Sequence, residues 1–224
     1  MQPQEERSTR SQLLQMLKTQ GSCSTSDMAK AMGITEMAVR RHIQTMEKDG
    51  LIRSTLVRQS MGRPSYRYSL TEQADDLFPK NYPQLTLDLL SELEEQPGGK
   101  ELIGRMFEGR RDKLGTKYRE RMHNLSLQER VAELAEIQNV GGYMTEWLQD
   151  PKDPGTYRLY EYNCPVAQVA NRYRQACQCE RQLFEQLLEA DVERTECLAD
   201  GGPRCTYQIR QKKDGESLRI SASQ

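Results

Sequence analysis

No stretch of this 224-residue sequence is apolar for long. None approaches the ~18–20 consecutive apolar residues that a membrane-spanning helix needs. The opening, MQPQEERSTR, has no apolar core of the kind a secretory signal carries, so a cytosolic protein is expected. Histidine is scarce, with only His42 and His123. There is no nucleotide-binding motif and no C-x-x-C pair. These absences argue against an enzyme, including a redox enzyme built on Cys177-x-Cys179, and the chain is read as non-enzymatic.

What is present is ordinary for a soluble protein: 36% hydrophobic and 29% charged residues, in a chain long enough for one or two domains. The net charge of −1 conceals an asymmetry. Residues 1–70 hold 11 Lys+Arg against 6 Asp+Glu, a net +5, and residues 71–224 hold 21 against 27, a net −6. A basic head on an acidic remainder suits a partner with phosphates at one end only.

The head reads as a helix-turn-helix. Leu13, Leu14, Met16 and Leu17 give a first helix one apolar face, and Gly21 ends it. Ser24 and Asp27 form a capping box before a short helix from Asp27 to Met32. Gly33-Ile34-Thr35 is the turn. A third helix, Glu36 to Lys48, turns Val39, Ile43 and Met46 inward. Its exposed side, Glu36, Met37, Arg40, Arg41 and Gln44, together with Thr35 at the turn, forms the candidate DNA contact set. Leu51–Val57 and Ser65–Leu70 read as two strands joined by RQSMGRP, a wing with Arg63 at its tip. The winged-helix domain is placed at 1–79.

The region 80–140 reads as helical, with Leu85, Leu89, Leu90 and Leu93 on one helix. A longer amphipathic helix over 100–122 serves either dimerisation or packing within its own domain. Two-fold symmetry doubles the sequence a single winged helix can read, which favours a homodimer on double-stranded operator DNA. Ser126-Leu127-Gln128-Glu129 caps a further helix. A cysteine-rich α+β domain is expected at 141–212 and a disordered tail at 213–224. The overall class is therefore α+β, with antiparallel hairpins in the C-terminal part.

Five of the six cysteines lie between Cys164 and Cys205. In a cytosolic chain such clustering points to ligands or redox groups more than to structural disulfides. Cys164 precedes Pro165 and an expected helix, where the helix dipole favours a thiolate. A helical stretch over Val166–Ala190 carries Cys177 and Glu180 on one face. Cys179 points ~200° away unless the helix is broken there. Cys197, on a strand read over Val192–Leu198, and Cys205 flank a turn at Asp200–Pro203. Folding can bring Cys164, Cys177, Cys197 and Cys205 to one edge. Thiolates suit zinc, copper(I) or an iron–sulfur cluster. The long, irregular spacing departs from zinc knuckles and favours a cluster, whose several irons need widely spread ligands. Structural zinc and a metal-free thiol switch remain alternatives.

The wing text GRPSYRYSLTEQADDLFPKNY, with IQNVGGYM, YNCPVAQVANRYRQAC and ECLADGGPRCTYQI, resembles SufR-type regulators, the iron–sulfur-responsive winged-helix repressors of cluster-assembly operons. That resemblance implies a homodimer whose C-terminal cysteines hold a [4Fe–4S] cluster that governs DNA binding. The family's C-x₁₂-C-x₂₇-C spacing falls on Cys164, Cys177 and Cys205. Some members carry a cysteine where this chain has Asp191. The fourth ligand is therefore assigned to Cys197, with Cys179 or a non-cysteine group as alternatives.

Overall fold

The structure, a computed structural model, describes residues 8–58 and 64–212. The chain divides into two compact units, Met1–Lys80 and Asn81–Gln224.

In the first unit, α1 (Thr9–Gln20) starts at Ser8, whose hydroxyl accepts the Ser11 amide hydrogen bond, and buries Leu13, Leu14 and Leu17. The capping box of Ser24 and Asp27 forms as the sequence predicts. Because Ser24 is the cap, α2 (Thr25–Met32) opens at Thr25, two residues before the expected start. Gly33 ends it at φ +65°, a conformation that favours glycine. Thr35 then caps α3 (Glu36–Lys48), which buries Val39, Ile43 and Met46 at the predicted four- and three-residue intervals. Strands β1 (Ile52–Val57) and β2 (Ser65–Leu70) pair antiparallel, from Ile52 opposite Leu70 to Val57 opposite Ser65. Cys23 bridges to Tyr68 and ties the turn after α1 to this hairpin. Beyond it, Glu72–Leu77 is a 3₁₀ turn. Phe78, held extended by the proline that follows it, ends the turn.

The second unit opens with α4 (Tyr82–Glu94) and α5 (Gly99–Arg119). The turn between them is so tight that a Cβ on Gly99 would lie 1.8 Å from the Leu93 carbonyl oxygen. Next come α6 (Leu127–Val140), capped by Ser126 and Glu129, and the hairpin of β3 (Thr145–Asp150) and β4 (Asp153–Glu161). The expected single helical stretch over 166–190 is two helices, α7 (Ala167–Arg172) and α8 (Gln175–Leu188), broken at Tyr173-Arg174. Strands β5 (Ala190–Glu196) and β6 (Cys205–Gln211) complete a four-stranded antiparallel sheet in the order β3-β4-β6-β5. The α+β reading therefore holds.

One face of this sheet carries the core. Tyr157 and Leu159 of β4, Tyr207 and Ile209 of β6 and Val192 of β5 meet Val131, Leu134 and Ile137 of α6 and Leu183, Phe184, Leu187 and Leu188 of α8. Phe184 packs edge-on to Tyr207, ring centres 4.9 Å apart. Such an aromatic pair adds about 0.5–1.5 kcal/mol beyond burial. The helices over 80–140 share this compact unit with the cysteine-rich sheet. A smaller cluster of Leu90, Ile103 and Tyr173 joins α4, α5 and the α7–α8 break. The expected tail, 213–224, lies outside the described residues.

Candidate functional site

Two sites stand out, one in each unit. In the first, the inward packing of α3 fixes what its other side shows. Thr35, Glu36, Met37, Arg40, Arg41 and Gln44 are all exposed, Met37 to 78%. They are not equally available. The Thr35 hydroxyl oxygen accepts the Ala38 amide hydrogen bond, and Glu36 accepts one from the Thr25 hydroxyl. Glu36 also pairs with Arg40 across one helical turn, at 3.6 Å. Both side chains are about half exposed, so this pair contributes under ~1 kcal/mol and releases Arg40 readily. Arg41 and Gln44 point to solvent. Arg63 lies outside the described residues. A groove of about 460 Å³ between the start of α2 and β2 includes Arg40, Tyr66 and Arg67. Tyr66 is 55% exposed, and Arg67 holds the Ser22 carbonyl and hydroxyl. Neither residue was among the predicted contacts. Strand alternation puts Tyr66 on the same face as the buried Tyr68, so the sequence pattern offers no sign that Tyr66 would be exposed.

In the second unit, the sheet and helices gather cysteines far apart in sequence. All six cysteines are free thiols. Cys205 opens β6, directly across from Glu161 at the end of β4. Cys197 lies just after β5, not on it as expected, because the strand ends at Glu196 and the chain enters a 3₁₀ turn. The Cys197 carbonyl accepts hydrogen bonds from the amides of Asp200 and Gly202, both at 3.0 Å. A Cβ on Gly202 would come within 2.9 Å of that oxygen, so the turn admits only glycine there without moving. The Leu198 amide points at the Cys205 sulfur, 3.4 Å away. Arg174, at the α7–α8 break, donates to the Ala199 carbonyl and pairs with Asp200 at 3.0 Å. It ties the base of the Cys177 helix to the Cys197–Cys205 turn.

Cys164 follows β4 in a loop held to the turn after α6: Asn163 donates from its side chain to the Gly142 carbonyl at 2.6 Å and from its amide to the Tyr143 carbonyl. It does not sit at the helix N-terminus expected for it, since α7 begins only at Ala167. The thiol is accordingly not favoured as a thiolate. Burial pushes Cys164 up, only partly opposed by the Val166 amide, and neighbouring Glu180, Glu161 and Cys197 push the same way.

Cys177 and Cys205 behave alike. Burial first, then Cys197, raises Cys177 to about 11. Burial also raises Cys205 to about 12, with Cys197 and Glu161 adding to the effect. Cys197 is thus an electrostatic neighbour of each of the other three. Cys179 is elsewhere. Helix α8 runs unbroken through both cysteines, and Cys179 faces Arg111 and Glu108 of α5. It is therefore separated from the group, leaving Cys164, Cys177, Cys197 and Cys205 as the set.

A polar shell that sequence reasoning largely missed surrounds these thiols. Glu161 is 1% exposed and takes a hydrogen bond from the buried Gln138 amide at 2.7 Å. Glu180 accepts from the Tyr207 hydroxyl at 2.9 Å and from Tyr143. Burial drives both carboxyls upward, and the negative potential of Glu180 pushes Glu161 further the same way. Arg194 supplies the nearby positive charge and donates to the Cys177 carbonyl at 3.0 Å. Only Glu180 had a sequence signal, its three-residue offset from Cys177. Glu161 occupies the inward phase set by Tyr157 and Leu159, a phase that normally takes an apolar residue.

Four free thiols that influence one another electrostatically are soft donors of the kind that zinc or an iron–sulfur cluster takes up. Among the described residues, no group of three or more His, Cys, Asp or Glu side chains is drawn together tightly enough to hold a single metal ion. No helix among them is long and apolar enough to cross a membrane.

Residues 8–55 match the family model of the MarR family. No curated protein matches the chain. Among solved structures, it is similar to a cysteine-to-serine mutant of Lactococcus lactis ZitR, at 20% identity over 51% of this chain and 79% of that one, TM-score 0.28. It is similar also to Bacillus subtilis PadR in complex with operator DNA, at 12% identity over 80% of this chain and 99% of that one, TM-score 0.29. The matched span, 8–55, begins at the cap of α1 and ends within β1, so it takes in all three helices of the head.

Proposed function

We propose that the chain is a homodimeric transcription regulator of the iron–sulfur-responsive kind, a repressor of cluster-assembly genes that reads operator DNA through α3 and reports a [4Fe–4S] cluster held by Cys164, Cys177, Cys197 and Cys205. The observation that carries the DNA reading is the MarR-family match over 8–55, within which α3 buries one face and shows Arg40 and Arg41 to solvent on the other. Arg can bond guanine bidentately or hold a phosphate. The Thr35 cap and the buried Val39, Ile43 and Met46 fix the angle at which α3 presents them.

The thiol set supports the sensing half of the reading. The four cysteines act on one another electrostatically, and their long, irregular sequence spacing departs from zinc knuckles. A cluster of several irons takes ligands spread more widely. When bound, such a cluster supplies a redox- and oxygen-sensitive group to the sheet edge. The chain's own part is to hold the thiols: the Gly202 turn places Cys197 and Cys205, the Arg174 tether fixes that turn to the Cys177 helix, and the Asn163 bonds hold the Cys164 loop. A ligand that binds one conformer better shifts the population toward it, and operator affinity then follows loading by linkage.

Iron and acid-labile sulfide analysis after anaerobic purification, run beside operator binding by the empty and loaded protein, tests the whole reading. About four irons and four sulfides per chain are expected for a [4Fe–4S] site, with an operator affinity that changes on loading and Cys164→Ser or Cys205→Ser removing the visible absorption. Stoichiometric zinc and no iron would replace the cluster with a structural metal. A reversible disulfide without metal would replace it with a thiol switch.

A further inference from the structure

The outer side of the α4–α5 pair carries leucines that the fold leaves open. On α4, Leu85 is 55% exposed and Leu89 62%, and Leu102 of α5 is exposed as well. Helical spacing places all three on one side. Leu85 and Leu89 are four residues apart, one turn above the other. Leu89 and Leu102 each stand one residue before a member of the buried cluster that joins the two helices, Leu90 and Ile103. One step along a helix turns the side chain by ~100°. In two helices that fold back on each other through a short turn, equal steps from the shared seam lead to the same outer side.

The sequence leaves the amphipathic α5 a choice between dimerisation and internal packing, and the structure resolves it. Ile103 enters the cluster with Leu90, while Leu114 and Tyr118 pack against the main core. A Cβ on Gly115 would meet Gln186 of α8 at 3.5 Å and Leu183 at 3.7 Å. That face of α5 is used within its own unit, so the surface left for a partner is the outer one. Apolar side chains grouped on a surface gain nothing in water and mark a contact.

Charge indicates what covers them. Helix α4 has three acidic side chains, Asp88, Glu92 and Glu94, and no basic one. Helix α5 has seven basic side chains against three acidic. Glu92 and Arg105 each lie three residues beyond a leucine of the patch, on its flank. Both are exposed, and no hydrogen bond or ion pair engages either among the described residues. A second copy related by a two-fold axis lays its α5 on this α4 and its α4 on this α5, so acid meets base twice.

We infer that Leu85, Leu89 and Leu102 form the docking face for a second copy of the chain, with Glu92 facing the partner's Arg105 and Arg105 facing the partner's Glu92. The inference rests on the homodimer reading and names the surface that joins the protomers. No thiol takes part in it.

Sedimentation equilibrium of the full chain, without added iron or DNA, is the test. The wild-type chain should be a dimer at micromolar concentration. Leu85→Ser combined with Leu89→Ser should raise the dimer dissociation constant about a hundredfold or more, because each change counts twice in a two-fold contact. The circular dichroism spectrum should not change, since both side chains are mostly exposed in the protomer. Glu92→Arg should weaken the dimer about fivefold or more, as should Arg105→Glu, and the two together should recover most of the loss. Val140→Ser and Leu148→Ser, at exposed apolar positions elsewhere, should leave it unaltered. A dimer indifferent to the leucine pair overturns this surface and leaves the homodimer reading standing. Charge reversals that do not rescue each other overturn the two-fold pairing of Glu92 with Arg105. A wild-type chain that stays monomeric at every concentration overturns both the surface and the homodimer, and gives the leucines to a different partner.

Discussion

At the scale of single residues, the recognition helix makes the sharpest commitments. Arg40→Ala and Arg41→Ala should each cost about 1–3 kcal/mol of operator binding if the side chain reads a base, with relaxed specificity at one position. A phosphate-bound arginine would instead weaken all sequences alike and lower the salt slope by about one. Titrations at two salt concentrations separate the cases, and undiminished binding by the double variant would remove α3 as the reader. Glu161 makes a prediction of opposite character. Its carboxyl is pushed far up by burial and by Glu180, so the folded state holds a proton that the unfolded chain releases near pH ~4.3. The stability tied to that proton is complete below the ordinary carboxyl range and is lost as pH rises towards the raised value. The thermal midpoint of the metal-free protein should therefore fall with increasing pH above about 5, and Glu161→Gln should flatten the slope. A midpoint that rises over that interval would contradict the burial argument.

Elements show how far local patterns carry. The buried triad of α3, the capping boxes at Ser24 and Ser126 and the two hairpins in the second unit's sheet were legible because each is written within a few adjacent residues. The break at Tyr173-Arg174 was not, since neither residue is a helix breaker. It arises where Tyr173 buries against Leu90 and Ile103 while Arg174 reaches the Cys197–Cys205 turn. Glu161 and Tyr207 were illegible as site residues for a related reason. Strand pairing sets Glu161 opposite Cys205, more than forty positions away along the chain. The continuity of α8 yields a discriminating test: Cys179→Ser should leave iron content intact, whereas Cys197→Ser should reduce it. The reverse result would require α8 to unwind through its second turn. For packing, Phe184→Ala removes a fully buried ring from beneath β6 and should cost about 3–5 kcal/mol in chemical denaturation. A loss under about 1 kcal/mol would mean that Tyr207 and Leu188 close the gap.

For the whole molecule, charge is divided, net +5 over residues 1–70 and net −6 over the rest, and the proton inventory of the second unit is its most measurable property. The thiols of Cys177 and Cys205, at about 11 and about 12, are protonated at neutral pH. Metal takes thiolates, so loading must release protons, and affinity should keep rising beyond pH ~9, where unperturbed thiols level off. Anaerobic titration with an indicator dye reads this directly, and an affinity that is flat above pH ~8 would exclude these thiols as ligands. A further consequence belongs to the Arg174 tether and the Asn163 bonds. In an unfolded chain, a metal joining Cys164 to Cys205 would have to close a loop of about 40 residues, a conformational cost near ~3 kcal/mol. Here the sheet and these ties already bring the two ends of that loop into one unit, so under the proposed reading most of that cost is met by folding. Small zinc modules collapse when stripped; under the proposed reading this unit, with its own buried core, should instead keep its fold without metal and report the loss as a change of state.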